Sequence, residues 1–215
     1  MVMRKLILIL MIGFLLPVLT KAQDQKFHFG FKITPNLAWI KPDQKGIDRE
    51  GYRLGFAYGV QTEFRLSDNY AFATGAQMAY RGGNLKFEGG TDSLGNNLAD
   101  PSITFRVQYV EIPLTIKMLT NQLNKIRYYG QFGFSPGMRI RAFMDTDAED
   151  KIDAKDEINF FNVNMIIAAG LEYELTGSTV AFGGIEFNNG FVDIIDGDNG
   201  KGFSNYLGLN LGILF

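Results

Sequence analysis

Large apolar side chains recur at every second position through most of this chain. In the last segment Leu207, Leu209, Leu211, Ile213 and Phe215 share one face, and Tyr206, Gly208, Asn210, Gly212 and Leu214 share the other. A period of two predicts a strand with unlike faces. The same alternation predicts a strand over Phe27 to Trp39, with Phe27, Phe29, Phe31, Ile33, Leu37 and Trp39 opposed to His28, Gly30, Lys32, Thr34, Asn36 and Ala38. It predicts others over Gly51 to Leu66, Tyr70 to Arg81, Arg127 to Arg141, Phe161 to Leu175 and Val180 to Ile194. A strand beginning at Ile103 completes eight. Its apolar side passes from Ile103, Phe105 and Val107 to Val110, Ile112, Leu114, Ile116 and Met118, and this slip near Tyr109-Val110 predicts a β-bulge on that strand. A second irregularity is expected at Gly183-Gly184.

The composition of the second face decides what kind of sheet this is. A soluble sandwich solvates its outer face with Lys, Glu and Thr, whereas here glycine and alanine alternate with a few charges, as in Gly51, Arg53, Gly55, Ala57, Gly59, Gln61, Glu63 and Arg65. Small residues beside charges suit a crowded, curved lumen, and an apolar face begun and ended by aromatics suits lipid with interfacial girdles. The connections point the same way. Short links at Ser67–Asn69, Leu119–Lys125 and Thr176–Ser178 alternate with longer ones at Lys41–Glu50, Gly82–Pro101, Ala142–Ile158 and Ile195–Ser204. An even number of strands then puts both termini beside the short turns, which is the layout of outer-membrane barrels with periplasmic turns and larger outside loops. The expected fold is an all-β, eight-stranded antiparallel transmembrane β-barrel, closed by pairing the last strand with the first. Its interior is expected to be filled by side chains.

The N-terminus carries a different signal. Met1-Val-Met-Arg-Lys5 is basic, Leu6 to Leu19 is almost continuously apolar, and Thr20-Lys-Ala22 offers a small residue for cleavage, so residues 1–22 read as a secretory signal peptide and 23–215 as one barrel domain. Losing Arg4, Lys5 and Lys21 leaves 18 of 21 basic residues against 23 acidic ones, a formal charge of −5 that disfavours nucleic acid as a partner. There is no cysteine, hence no disulfide, thiolate chemistry or lipoprotein anchor.

Candidate chemistry is sparse. The single histidine, His28, lies near the start of the first strand, with no serine adjacent in sequence; Ser135 on the fifth strand is not nominated as its partner. Glu63, Glu111, Glu172, Glu174 and Glu186 are expected inside, together with Lys32, Arg53, Arg65, Arg81, Arg106, Lys117, Arg127, Arg139 and Arg141. Opposite charges in a narrow barrel most simply neutralise one another, because an unpaired buried ion costs several kcal/mol. The acidic stretch Asp145 to Asp153 lacks the turn glycine and final glutamate of a twelve-residue calcium loop, and Gly82-Gly83 and Gly89-Gly90 lack the Lys-Ser/Thr grip of a phosphate loop. No catalytic, cofactor-binding or metal-binding residue is assigned, no cofactor is expected, and the protein is read as a non-enzyme.

The stretch Tyr109-Val-Glu-Ile-Pro-Leu-Thr-Ile-Lys117 joins Ala22-Gln23, Gly30-Phe-Lys32 and the terminal Phe215 in a set that resembles the PorT-like outer-membrane β-barrel proteins of Bacteroidota. The resemblance spans the whole mature chain. It implies a strand through the Tyr109 motif, outer-membrane lipid as the surroundings, and action through partners, with secretion-system proteins of the type IX kind among them. A final strand ending in Phe also resembles the insertion signal read by the barrel-assembly machinery. The alternative function is a transport barrel for a small solute or ligand.

Overall fold

The computed structural model describes residues 26–43, 46–87, 102–146, 149–195 and 202–215. The stretch read as a signal peptide and the tip of the loop around Asp92 lie outside the described residues. Among the described residues eleven strands appear in chain order: β1 (Phe27–Pro42), β2 (Ile47–Arg49), β3 (Arg53–Ser67), β4 (Tyr70–Phe87), β5 (Ser102–Glu111), β6 (Leu114–Leu119), β7 (Ile126–Thr146), β8 (Ile152–Asp153), β9 (Phe161–Thr176), β10 (Thr179–Gly190) and β11 (Gly202–Leu214). β5 and β6 form one stave broken at Ile112-Pro113, while β2 and β8 are short ribbons on the ends of β4 and β7. Eight antiparallel staves therefore run in a ring from β1 through β3, β4, β5 with β6, β7, β9 and β10 to β11, and β11 pairs back onto β1. Closure leaves no free edge along the wall. The last ladder rung is Phe215, whose N–H donates to the Phe29 carbonyl at 2.8 Å.

Alternation sets the two surfaces as the sequence implies. Ile33, Leu37, Leu114, Ile167, Leu209 and Leu211 are exposed on the wall, between an aromatic set at the turn end (Phe29, Phe64, Tyr70, Tyr128, Tyr173, Phe215) and one at the loop end (Tyr52, Phe56, Tyr58, Phe160, Phe161). A contiguous apolar band of this kind is lipid-facing. The short connections are tight: Leu123 and Ile126 exchange two backbone hydrogen bonds of 2.9 Å around Asn124 and Lys125, both at positive φ. Gly177 supplies the positive φ of the β9–β10 turn.

Three expectations change. The bulge lies at the expected level but on the neighbouring stave: Gln108 pairs Arg141 and Tyr109 pairs Arg139, so the additional residue is Ile140 of β7. Along β5 and β6 alternation is unbroken, and Phe105, Val107, Tyr109, Glu111, Thr115, Lys117 and Leu119 all face the interior. What looked like a slip is a change in the lining, from apolar near the loops to polar below. Arg106 consequently points to the outer face, where it pairs with Asp145, and Arg141 is turned out by the bulge. The second expected irregularity is absent at Gly183-Gly184, whose ladders run on both sides; the shift is at Thr179/Val180. Finally, β4 continues through Gly82-Gly83 to Phe87 instead of ending at Arg81. Gly83 permits this, since a Cβ there would lie 2.5 Å from the Ile40 nitrogen.

Candidate functional site

The interior is built in three levels, each assembled by strand register from positions far apart in sequence. Nearest the turns, Lys117 Nζ lies 2.6 Å from Glu63 Oε1 and 2.5 Å from Glu172 Oε1. Arg65 Nη2 meets the same two carboxylates at 3.0 Å (Glu172) and 3.6 Å (Glu63), and Gln61 donates to Glu63 at 2.8 Å. The Lys117 ammonium also stands 4.5 Å from the centre of the Tyr129 ring. That ring fits because Gly170 and Gly184 face it; a Cβ on either would come within 2.8 Å of Tyr129. Two cations thus balance two carboxylates in a nearly dry volume.

One level up, Lys32 Nζ is 2.7 Å from Glu186 Oε2, and the Tyr206 hydroxyl donates to Glu186 Oε1 at 2.5 Å. Beside it Arg81 Nη2 lies 2.6 Å from Glu111 Oε1, Gln77 donates to Glu111 Oε2 at 2.7 Å, and Arg81 donates to Asn188 at 3.0 Å. The Arg81 guanidinium lies over the Tyr206 ring, 4.7 Å from its centre. Ser135 donates to Glu111 at 3.4 Å, so its partner is a carboxylate of this level rather than His28.

The loop end is closed by carbon. Ile40, Leu85, Phe105, Val107, Tyr109 and Ala142 from the staves pack with Ile47, Ala154, Ile158, Ile194 and Ile195 from the ribbons and loops in one buried cluster. Above it the acidic stretch has found internal partners: Asp145 pairs with Arg106 and accepts the Lys151 N–H at 2.9 Å, and Lys155 bonds Asp153 at 2.7 Å. That hydrogen bond from Lys155 holds the Asp153 carboxyl below its ordinary range.

Among the described residues the turn end is open. A cavity of about 580 Å³ is lined there by Lys26, His28, Arg65, Lys125 and Arg127 together with Asp68, Glu172 and Glu174. Of the residues read as inward-facing, Glu63, Glu111, Glu172, Glu186, Lys32, Arg81 and Lys117 are buried in the lattice, while Glu174 and Arg127 belong to the crevice and Arg139 bonds the Lys155 carbonyl in the loops. The crevice has no signature in the sequence, because its walls come from residues near six strand ends.

The match to known families settles the class. The model described as outer membrane protein beta-barrel domain matches residues 21–196. The chain belongs to that family. It is an outer-membrane β-barrel, and the apolar wall around its ring of eight staves is the surface that meets lipid. No curated protein matches it in sequence. Among solved structures it is similar to Neisserial surface protein A, at 14% identity over 88% of this chain and 97% of that one, with a TM-score of 0.48. It is also similar to Ail, the attachment invasion locus protein of Yersinia pestis, at 14% identity over 87% and 99%, TM-score 0.37. The outer membrane protein AlkL, determined in DMPC lipid bilayers, aligns at 13% identity over 88% and 90%, TM-score 0.42.

Proposed function

We propose that this barrel is a non-enzymatic, closed member of its family that acts through partners at its ends, in the manner of the PorT-like proteins that the Tyr109 to Lys117 stretch resembles. The observation that carries this reading is the filled interior. Eight staves enclose a space about as wide as their own side chains, and here two levels of paired charges lie beneath an apolar cluster that spans the loop end. A solute crossing the barrel would have to break several buried ion pairs and then displace packed carbon, at a cost of many kcal/mol. The wall is committed to lipid, which leaves the loops and the turn end for recognition. Within this reading the mature chain is residues 23–215, the termini are periplasmic, the Phe215 strand engages the barrel-assembly machinery, and the role is that of an accessory in protein secretion.

Purified protein in a planar bilayer should show no steady conductance, and a photo-crosslinking residue at Gly177 should capture envelope proteins in native membranes. Stable conductance steps would overturn the closed reading and favour the transport alternative, to which the open crevice at one end lends its support.

A further inference from the structure

We infer that the crevice at the turn end is a binding site for a small soluble anion bearing phosphate or carboxylate, recognised by Arg127, His28 and Arg65. This inference goes beyond the partner reading and holds whether or not the barrel serves secretion. It starts from register. Arg127 stands opposite Glu172, and His28 opposite Glu63, so both lie beside the lowest ion-pair level, and both line the crevice. Three of the carboxylates nearby already have partners. Glu172 is held by Lys117 and Arg65, Glu63 by Lys117, Arg65 and Gln61, and Glu174 accepts from Gln122 at 2.6 Å.

The cations are the groups left over. Lys26, Lys125 and Arg127 make no ion pair with any described residue, although they line the same cavity; the carboxylates there without an ion pair to a described residue are Asp68 and Glu174, the latter held only by the neutral Gln122 amide. Deeper in the wall, His28 is 8% exposed and its Nδ1 has no hydrogen-bond partner; neither does Nη1 of Arg65, whose other amino nitrogen carries the ion pairs. Buried polar nitrogens are ordinarily satisfied, and the remaining Arg65 nitrogen offers one charge-assisted bond to a carboxylate or phosphate oxygen. A cavity of 580 Å³ falls in the size range of small-molecule sites. The closed loop end makes it a blind pocket, entered from the side of the termini.

The single histidine makes the test direct. Untagged protein folded in detergent micelles would be titrated with inorganic phosphate and, separately, citrate, with the His28 ring resonances followed by NMR and sodium chloride at matched ionic strength as the reference. The expected result is a saturable shift with phosphate or citrate that chloride does not reproduce; which of them saturates at lower concentration assigns the head group. Arg127→Gln should weaken that binding by about tenfold or more, the loss expected for one charge-assisted contact. Lys155→Gln, at the other end, should leave it unchanged. Retained heat-modifiable migration checks that each variant is folded, and Lys26→Gln, on an exposed residue, replaces Arg127→Gln should the latter not fold. A shift that chloride reproduces, the absence of any saturable shift, or binding indifferent to the crevice substitutions would overturn the assignment.

Discussion

Replacing Lys117 with methionine removes one fully buried charge from the ion-pair group nearest the turns. Methionine keeps an unbranched stem of similar length, while the ammonium that stands 4.5 and 5.3 Å from the Tyr129 and Phe182 ring centres is lost with the charge. Two carboxylates then face a single guanidinium, that of Arg65 at 3.0 and 3.6 Å. Lys117 and Glu63 are fully buried and the Glu172 side chain is 3% exposed, so water does little to compensate. Breaking a buried pair by removing one partner costs about 3–5 kcal/mol, a shift of at least about a hundredfold in the folding equilibrium. Arg65 holds the loss within that range although two pairs are broken.

The second half of the experiment separates charge from packing. Glu63→Gln added to Lys117→Met restores one cation to one carboxylate, and the double variant should recover more than half of the lost stability, leaving a deficit of about 1–2 kcal/mol. The assay is urea unfolding of the barrel in vesicles, followed by heat-modifiable migration. A deficit below about 1 kcal/mol in the single variant would mean that water from the crevice screens the group, and a double variant weaker than the single would refute charge balance as the organising rule of the lumen.

Topology is the next test: single cysteines at Asp92 and Asp150 should be labelled by an impermeant reagent on intact cells, and those at Asn69 and Gly177 only after the outer membrane is opened; the opposite pattern would invert the barrel. Removing Phe215 deletes both backbone hydrogen bonds to Phe29, at 2.8 and 3.2 Å, together with an aromatic group on the lipid face, so the variant should accumulate outside the membrane or be degraded. Unchanged membrane levels on fractionation would count against Phe215 as an assembly signal. Lys125→Gly relieves a side chain held at φ 73° in a two-residue turn and should raise the urea midpoint by about 1 kcal/mol equivalent; a drop would mean that the Lys125 side chain contributes more than its backbone costs.

Much of this architecture is legible in the chain because a lipid-facing wall writes its period into nearly every stave. β1, β3, β9 and β11 present the faces that alternation assigns them, down to the buried Thr34 and Asn36. The misassigned positions on β5 share one cause. Hydrophobicity identifies the lipid face only while the lumen is polar, and near the loops the lumen is apolar too, so Phe105 and Val107 read as outward and carried Arg106 inward with them. Gly82-Gly83 read as loop because glycine weakens a strand locally, whereas here it admits Ile40. Which glutamate meets which cation is a matter of register, and register is fixed by ring closure rather than by any one segment.

That register also changes what the motif from Tyr109 to Lys117 means. Tyr109 is buried in the apolar cluster, Glu111 holds Arg81, and Lys117 joins Glu63 to Glu172, while Ile112, Leu114 and Met118 face lipid and Pro113 sits where the stave is already broken. Ile112 keeps its backbone donor satisfied by reaching the Pro136 carbonyl at 3.0 Å. Every polar side chain of the motif therefore lies buried inside the barrel. A stretch with these contacts specifies how a narrow lumen is filled and makes no surface for a partner, so the resemblance it carries belongs to the architecture. What distinguishes one closed barrel from another must then lie where side chains leave the lattice: in the loops above the apolar cluster, and among the unpaired cations of the crevice at the turn end.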